Sequence, residues 1–147
     1  MKQHFNKLTL LAICLLLCSV TVLGSKKPKQ EMYQLTVYQY TTAQQEATLD
    51  HYLKNALLPA LHKNGYKNIG VFKSLANDTS KIKTMFVYMQ VKNIADQLSL
   101  TEKLNKDTAY QSAGAAYLNA VYTAPPYSRM EIILLKAFHL APQIQLP

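Results

Sequence analysis

The order of patterns along the chain predicts an α+β domain of the type β-α-β-β-α-β, a four-stranded antiparallel sheet with helices on one face. Three observations predict it. Four stretches rich in Tyr, Val, Ile and Thr, at 32–41, 68–75, 82–92 and 127–138, read as strands. An apolar stripe at helical spacing separates the first from the second, and another precedes the fourth. The second and third are joined by Ala76-Asn77-Asp78-Thr79-Ser80, turn chemistry that makes them a hairpin.

The 24 residues at the start read as a signal peptide and not as part of this domain. Lys2 and Lys7 open it, and Leu8 to Leu23 runs 16 residues without a charge. Val22-Leu23-Gly24 then sets short side chains where a signal peptidase reads. Cleavage after Gly24 exports the chain, to the periplasm or out of the cell. Two alternatives stay open. Lys26, Lys27 and Lys29 resist translocation and suit an uncleaved anchor, although a span needs about 20 apolar residues. Cys18 stands where a lipoprotein is lipidated, but Leu17 before it is larger than such sites take. A membrane is therefore a partner only where the leader is retained or lipidated.

Both cysteines, Cys14 and Cys18, lie in this leader. A processed chain has none, which excludes a structural disulfide, a thiolate zinc site and a cysteine nucleophile together. The charge is also concentrated at the ends. Residues 25–30 form a basic tether, while residues 31–136 hold 11 basic and 8 acidic residues, a net of +3. No basic stripe and no aromatic RNA-binding signature accompanies the pI near 9.5, so nucleic acid is not expected as a partner. One domain, residues 31–138, follows the tether, and residues 139–147, with Pro142 and Pro147, read as a coil.

Within the domain, Leu35 and Val37 share one face of the first strand, and Gln34, Thr36, Tyr38 and Tyr40 the other. Thr42 caps the next helix, with Gln45 at capping-box spacing. That helix carries Leu49, Leu53, Ala56, Leu57, Ala60 and Leu61, is kinked or restarted at Pro59, and ends at Gly65. In the third strand Met85, Val87, Met89 and Val91 oppose Phe86, Tyr88 and Gln90. Asn93 caps a short helix to Leu104, and Asp107 caps another with the stripe Tyr110, Ala113, Gly114, Tyr117, Leu118, Val121 and Tyr122, stopped by Pro125-Pro126. The last strand sets Met130, Ile132 and Leu134 opposite Arg129, Glu131, Ile133 and Leu135.

A sheet with helices on one side leaves its other face open. That face is assigned Tyr38, Tyr40, Phe72, Phe86, Tyr88, Ile133 and Leu135, too apolar to stay wet. The simplest cover is the same face of a second copy, a two-fold homodimer closed as an α/β barrel.

Four stretches also carry a family resemblance. They are Tyr33-Gln34-Leu35-Thr36-Val37-Tyr38, Leu57-Leu58-Pro59-Ala60-Leu61, the strand from Asn68 to Lys73, and Tyr127-Ser128-Arg129-Met130-Glu131-Ile132-Ile133-Leu134-Leu135-Lys136-Ala137-Phe138. In their order and spacing the chain resembles the NIPSNAP family, as a single-domain exported bacterial form. The resemblance implies a ferredoxin-like fold and a dimeric α+β barrel, and it implies no agreed reaction. The family's first strand commonly reads Glu-Leu-Arg-x-Tyr; here Gln34 and Thr36 stand at the charged positions while Tyr38 is kept.

The candidate site is a pocket in the barrel interior. Glu131 and Arg129 lie two apart on one strand, as a buried acid or base beside a cation that orients an anionic ligand, or as an internal ion pair. Tyr38, Tyr40 and Tyr88 line the same space. His51 and His62 point away from the apolar stripe of their helix and are about 16 Å apart along it, so no metal or other cofactor is expected. Asn77-Asp78-Thr79 matches the N-glycosylation pattern, which counts only in a eukaryotic secretory route. With no recognisable catalytic set, the function expected is a dimeric module binding a small apolar or anionic ligand, or a partner protein. The alternative is a cofactor-independent, monooxygenase-like enzyme working from a cavity near Glu131 and Arg129.

Overall fold

The computed structural model describes residues 29–144. The leader, both cysteines, most of the tether and the last three residues lie outside them. Among the described residues no helix is long and apolar enough to cross a membrane.

Strand β1 (Met32–Tyr40) leads to helix α1 (Ala43–Tyr52) through the predicted cap. The Thr42 hydroxyl accepts from Gln45 N at 3.1 Å, and Gln45 Oε1 reaches back to accept from Thr41 N at 2.9 Å. Two otherwise orphaned donors are thereby satisfied. The helix then widens into a π-helical stretch, Leu53–Leu57, before resuming as α2 (Leu58–Lys63). Proline explains this. Pro59 has no N–H to give to the preceding turn, and the widened stretch absorbs the mismatch without breaking the helix. Gly65 ends it at φ 84°, with Gly65 N donating to His62 O and Tyr66 N to Leu61 O, a Schellman closure that favours glycine.

Strands β2 (Ile69–Lys73) and β3 (Lys83–Val91) form the predicted antiparallel hairpin. Asn93 accepts from Asp96 N at 2.8 Å and starts α3 (Ile94–Lys106). Asp107 accepts from Ala109 N and Tyr110 N to start α4 (Thr108–Ala113). A single further turn, α5 (Ala115–Leu118), follows, then β4 (Arg129–Lys136). The stripe predicted to run to Tyr122 therefore ends at Leu118. Val121 and Tyr122 are exposed, with no sheet beneath them to reward helix.

The sheet order is β2-β3-β1-β4, with β1 antiparallel to both neighbours. This is the ferredoxin-like arrangement, as the element order predicts. Register decides which side chains meet the helices. Tyr38 pairs with Met85 and Met130, and Thr36 with Val87 and Ile132, so the even positions of β1 lie on the helix side. The assignment of Tyr38 and Tyr40 to the open face is thus corrected: both are buried in the core with Leu49, Leu53, Met85 and Val87. Leu35 and Val37 take their place on the open face. Under the helices Tyr52 stacks on Tyr117 with ring centroids 3.8 Å apart, and the Tyr52 and Tyr110 hydroxyls bond at 2.7 Å. A second core cluster gathers Leu61, Met89, Val91 and Leu100.

Candidate functional site

Opposite the helices, the sheet presents Tyr33, Leu35 and Val37 from β1, Phe72 from β2, Phe86 and Tyr88 from β3, and Ile133 and Leu135 from β4. Phe72, Ile133 and Leu135 are exposed. On β2 the ring of Phe72 folds back across Gly70, where an added Cβ would collide with it. The glycine lets an aromatic ring lie flat against the sheet.

One end of this face is hollowed into a cavity of about 420 Å³. Its walls include Tyr33, Tyr88, Phe72, Lys67 and Ile144. Tyr33 stacks on Tyr88 at 5.2 Å, and the Tyr33 hydroxyl donates to the Glu31 carboxylate. The chain after β4 returns to roof this end. Ala137 N donates to Glu31 O, Glu31 N to Pro142 O, and Ile144 N to the Tyr33 hydroxyl at 3.1 Å. Burial, followed by the neighbouring Tyr33, pushes the Tyr88 phenol up to about 12. Burial and the Glu31 carboxylate raise Tyr33 as well. Both phenols therefore stay protonated at neutral pH, and the buried Tyr88 hydroxyl has no hydrogen-bond partner among the described residues. The cavity offers stacked aromatic walls and one lysine.

Of the five residues expected to converge, three share this face, and of these only Arg129 and Glu131 meet. Tyr88 lines the cavity. Arg129 and Glu131 form the predicted ion pair on the same face, but at the far end of edge strand β4. Their side chains are 65% and 41% exposed in the single chain, and Glu131 borders none of the cavities described here. Tyr38 and Tyr40 lie on the opposite side of the sheet. Tyr33 is the wall residue that sequence reasoning missed. Its signal was its i, i+2 relation to Leu35 and Val37, once their face is known.

His51 and His62 are exposed, as their helical positions predict. Among the described residues no three His, Cys, Asp or Glu side chains gather as a metal site.

No protein-family model matches the chain, and no curated protein matches it. Solved structures do. A NIPSNAP domain protein from Burkholderia xenovorans superposes with a TM-score of 0.55 at 14% identity, covering 76% of this chain and 99% of that one. A NIPSNAP family protein from Agrobacterium tumefaciens gives 0.57 at 14% identity, covering 78% and 92%. The resemblance carried by the strand and helix motifs is matched in three dimensions, and this chain has the fold of the NIPSNAP domain proteins.

Proposed function

We propose that the chain is an exported member of the NIPSNAP family that works as a homodimeric binding module. The observation that carries the reading is the open sheet face. Four strands at about 4.8 Å spacing and roughly 25 Å of length give a footprint near 500 Å² before side-chain relief is counted. That approaches the roughly 800 Å² per partner of a standard interface. A second copy brings the same apolar surface with its own Arg129 and Glu131 at the rim, the self-complementarity that a two-fold contact needs. A small apolar or anionic molecule taken up between Tyr33, Tyr88 and Lys67 is then enclosed beside the interface. Export rests on the leader pattern: the basic start, the uncharged run from Leu8 to Leu23 and the short side chains before the cleavage point after Gly24.

Analytical ultracentrifugation at micromolar concentration tests the pairing. Wild-type protein is expected at the dimer mass, and Ile133→Glu at the monomer mass with unchanged far-UV circular dichroism. A wild-type monomer refutes the reading. The intact mass of the protein recovered after export tests the leader, with cleavage after Gly24 expected and a retained or lipid-bearing leader excluding release.

A further inference from the structure

The cavity at the end of the open face has an uneven lining, and the unevenness points to a class of ligand. Strand register gathers the rings. Gly70 pairs with Tyr88 and Phe72 with Phe86, so these four residues share the open face. With no side chain at Gly70, the Phe72 ring lies over the strand beside Tyr88. Glycine inside a strand gives up packing of its own, and here it leaves a flat aromatic floor. That floor is accessible: Phe72 is 58% exposed, and Tyr88 is half-buried.

Toward the end of the sheet the lining turns polar. Gln90 pairs with Tyr33, and Lys67 and Asn68 stand just before β2. Lys67 and Asn68 are exposed and Gln90 is partly so, which leaves all three within reach of a bound molecule. Lys67 enters none of the ion pairs among the described residues. The carboxylate in the lining, Glu31, is already met on the wall itself, where it accepts from the Tyr33 hydroxyl and from Ile144 N at 3.3 Å. The cavity therefore holds a satisfied anion and an unpaired cation.

We infer that this cavity takes a planar aromatic carboxylate, its rings against Phe72 and Tyr88 and its carboxylate on the Lys67 ammonium. The inference rests on the binding reading proposed above and names the ligand class of that site. Size sets the ring count. An apolar cavity of about 150 Å³ takes benzene, so one of about 420 Å³ takes two fused rings and a substituent. Aromatic walls favour a flat partner in offset or edge contact. The unpaired ammonium sets the sign of the charge.

Isothermal titration calorimetry tests it with three probes of one shape: naphthoate, the neutral naphthamide and the naphthylmethylammonium cation. Naphthoate is expected to bind saturably and about fivefold more tightly than naphthamide, the worth of an ion pair that solvent partly screens. The cation is expected to bind most weakly. Lys67→Met is expected to bring naphthoate down to the naphthamide affinity, and Phe72→Ala to weaken both probes alike. Equal binding of naphthoate and naphthamide by the wild-type protein overturns the inference. So does a preference for the cation, the absence of saturable binding, or a Lys67→Met variant that still prefers naphthoate. Sedimentation of the same samples separates this inference from the pairing. A wild-type monomer that prefers naphthoate upholds the ligand class and refutes the dimer, whereas a dimer without the preference does the reverse.

Discussion

Replacing Asn77 by alanine is expected to destabilise the domain by about 2–3 kcal/mol. Asn77 sits in the short 3₁₀ turn Leu75–Asp78 of the β2–β3 hairpin and is buried. Its side chain behaves as one more residue of sheet. Asn77 Oδ1 accepts from Thr84 N at 2.8 Å, and Asn77 Nδ2 donates to Thr84 O at 2.9 Å and to the Tyr40 hydroxyl at 3.3 Å. Thr84 O keeps a second donor, Ser74 N, when the side chain is removed. Thr84 N does not, and the Tyr40 hydroxyl, buried beside the Glu46 carboxylate, loses the Asn77 donor. One orphaned amide at roughly 1–2 kcal/mol, plus the lost bonds to Thr84 O and the Tyr40 hydroxyl at about 0.5 kcal/mol each, give the figure. It corresponds to a fall in Tm of roughly 10 °C for a domain of this size. Thermal and urea unfolding followed by far-UV circular dichroism reads it. Asn77→Asp sharpens the test: at neutral pH its carboxylate faces the Thr84 carbonyl, and protonation in acid restores a donor. It should lose at least as much stability at pH 7 and recover part of it in acid. An alanine variant within about 0.5 kcal/mol of wild type would refute the account of the hairpin. The same geometry bears on the Asn77-Asp78-Thr79 pattern. The nitrogen that would carry a glycan is committed to two hydrogen bonds inside the folded domain.

Two further expectations follow from the helices. Lys73, by its bond and its charge, and then Lys83 hold the Glu46 carboxyl below its ordinary value. A lowered carboxyl stabilises the fold above its unfolded value and stops doing so as the pH falls through its folded one. Glu46→Gln should therefore cost less than about 1 kcal/mol at pH 7, since Lys73 is partly exposed, and the difference from wild type should vanish in acid, as paired denaturation curves at two pH values would register. Gly114→Ala should destabilise by about 1–3 kcal/mol. Its Cβ would stand 2.9 Å from Tyr110 O, 3.0 Å from Leu118 Cδ1 and 3.3 Å from Ala56 Cβ, and a backbone carbonyl yields least. A near-UV circular dichroism signal left unchanged, with unchanged Tm, would show that the Tyr52–Tyr117 stack tolerates the shift.

What was legible in the sequence was what neighbouring residues decide between themselves. The Thr42–Gln45 cap, the Pro59 restart, the Gly65 closure and the Asn93 and Asp107 caps each satisfy backbone groups within a turn, so a local pattern suffices to read them. The element order, and with it the fold, follows from such pieces. The site was less legible because it depends on strand register. Alternation in β1 groups Gln34, Thr36, Tyr38 and Tyr40 correctly, yet alternation alone does not say which group faces the helices. A wrong choice carries every side chain of the strand to the other side. Tyr38 and Tyr40 moved to the core for this reason alone. The hydrogen bond from Gln97 to Gln34 was invisible for another: the two lie 63 residues apart, and nothing around either residue announces the pairing.

The orientation of β1 is also an argument about the open face. Leu35 and Val37 are its most apolar pair, and they point away from the helices, while Gln34 and Thr36 point toward them. Reversing the strand would turn Leu35 and Val37 inward, worth roughly 1.5–3 kcal/mol for each side chain fully buried, but it would also carry Tyr38 and Tyr40 out of the core. Gln34 and Thr36 would meanwhile exchange a buried hydrogen bond for solvent at no loss. The two tyrosines, which fill the deep core beneath α1, decide the orientation. Leu35 and Val37 are left on the open face, with Phe86 and Ile133 beside them. The choice that buries Tyr38 and Tyr40 thus leaves apolar side chains on the face whose pairing Ile133→Glu tests, and it sets Gln34 and Thr36 in the interior, where each needs a hydrogen-bond partner.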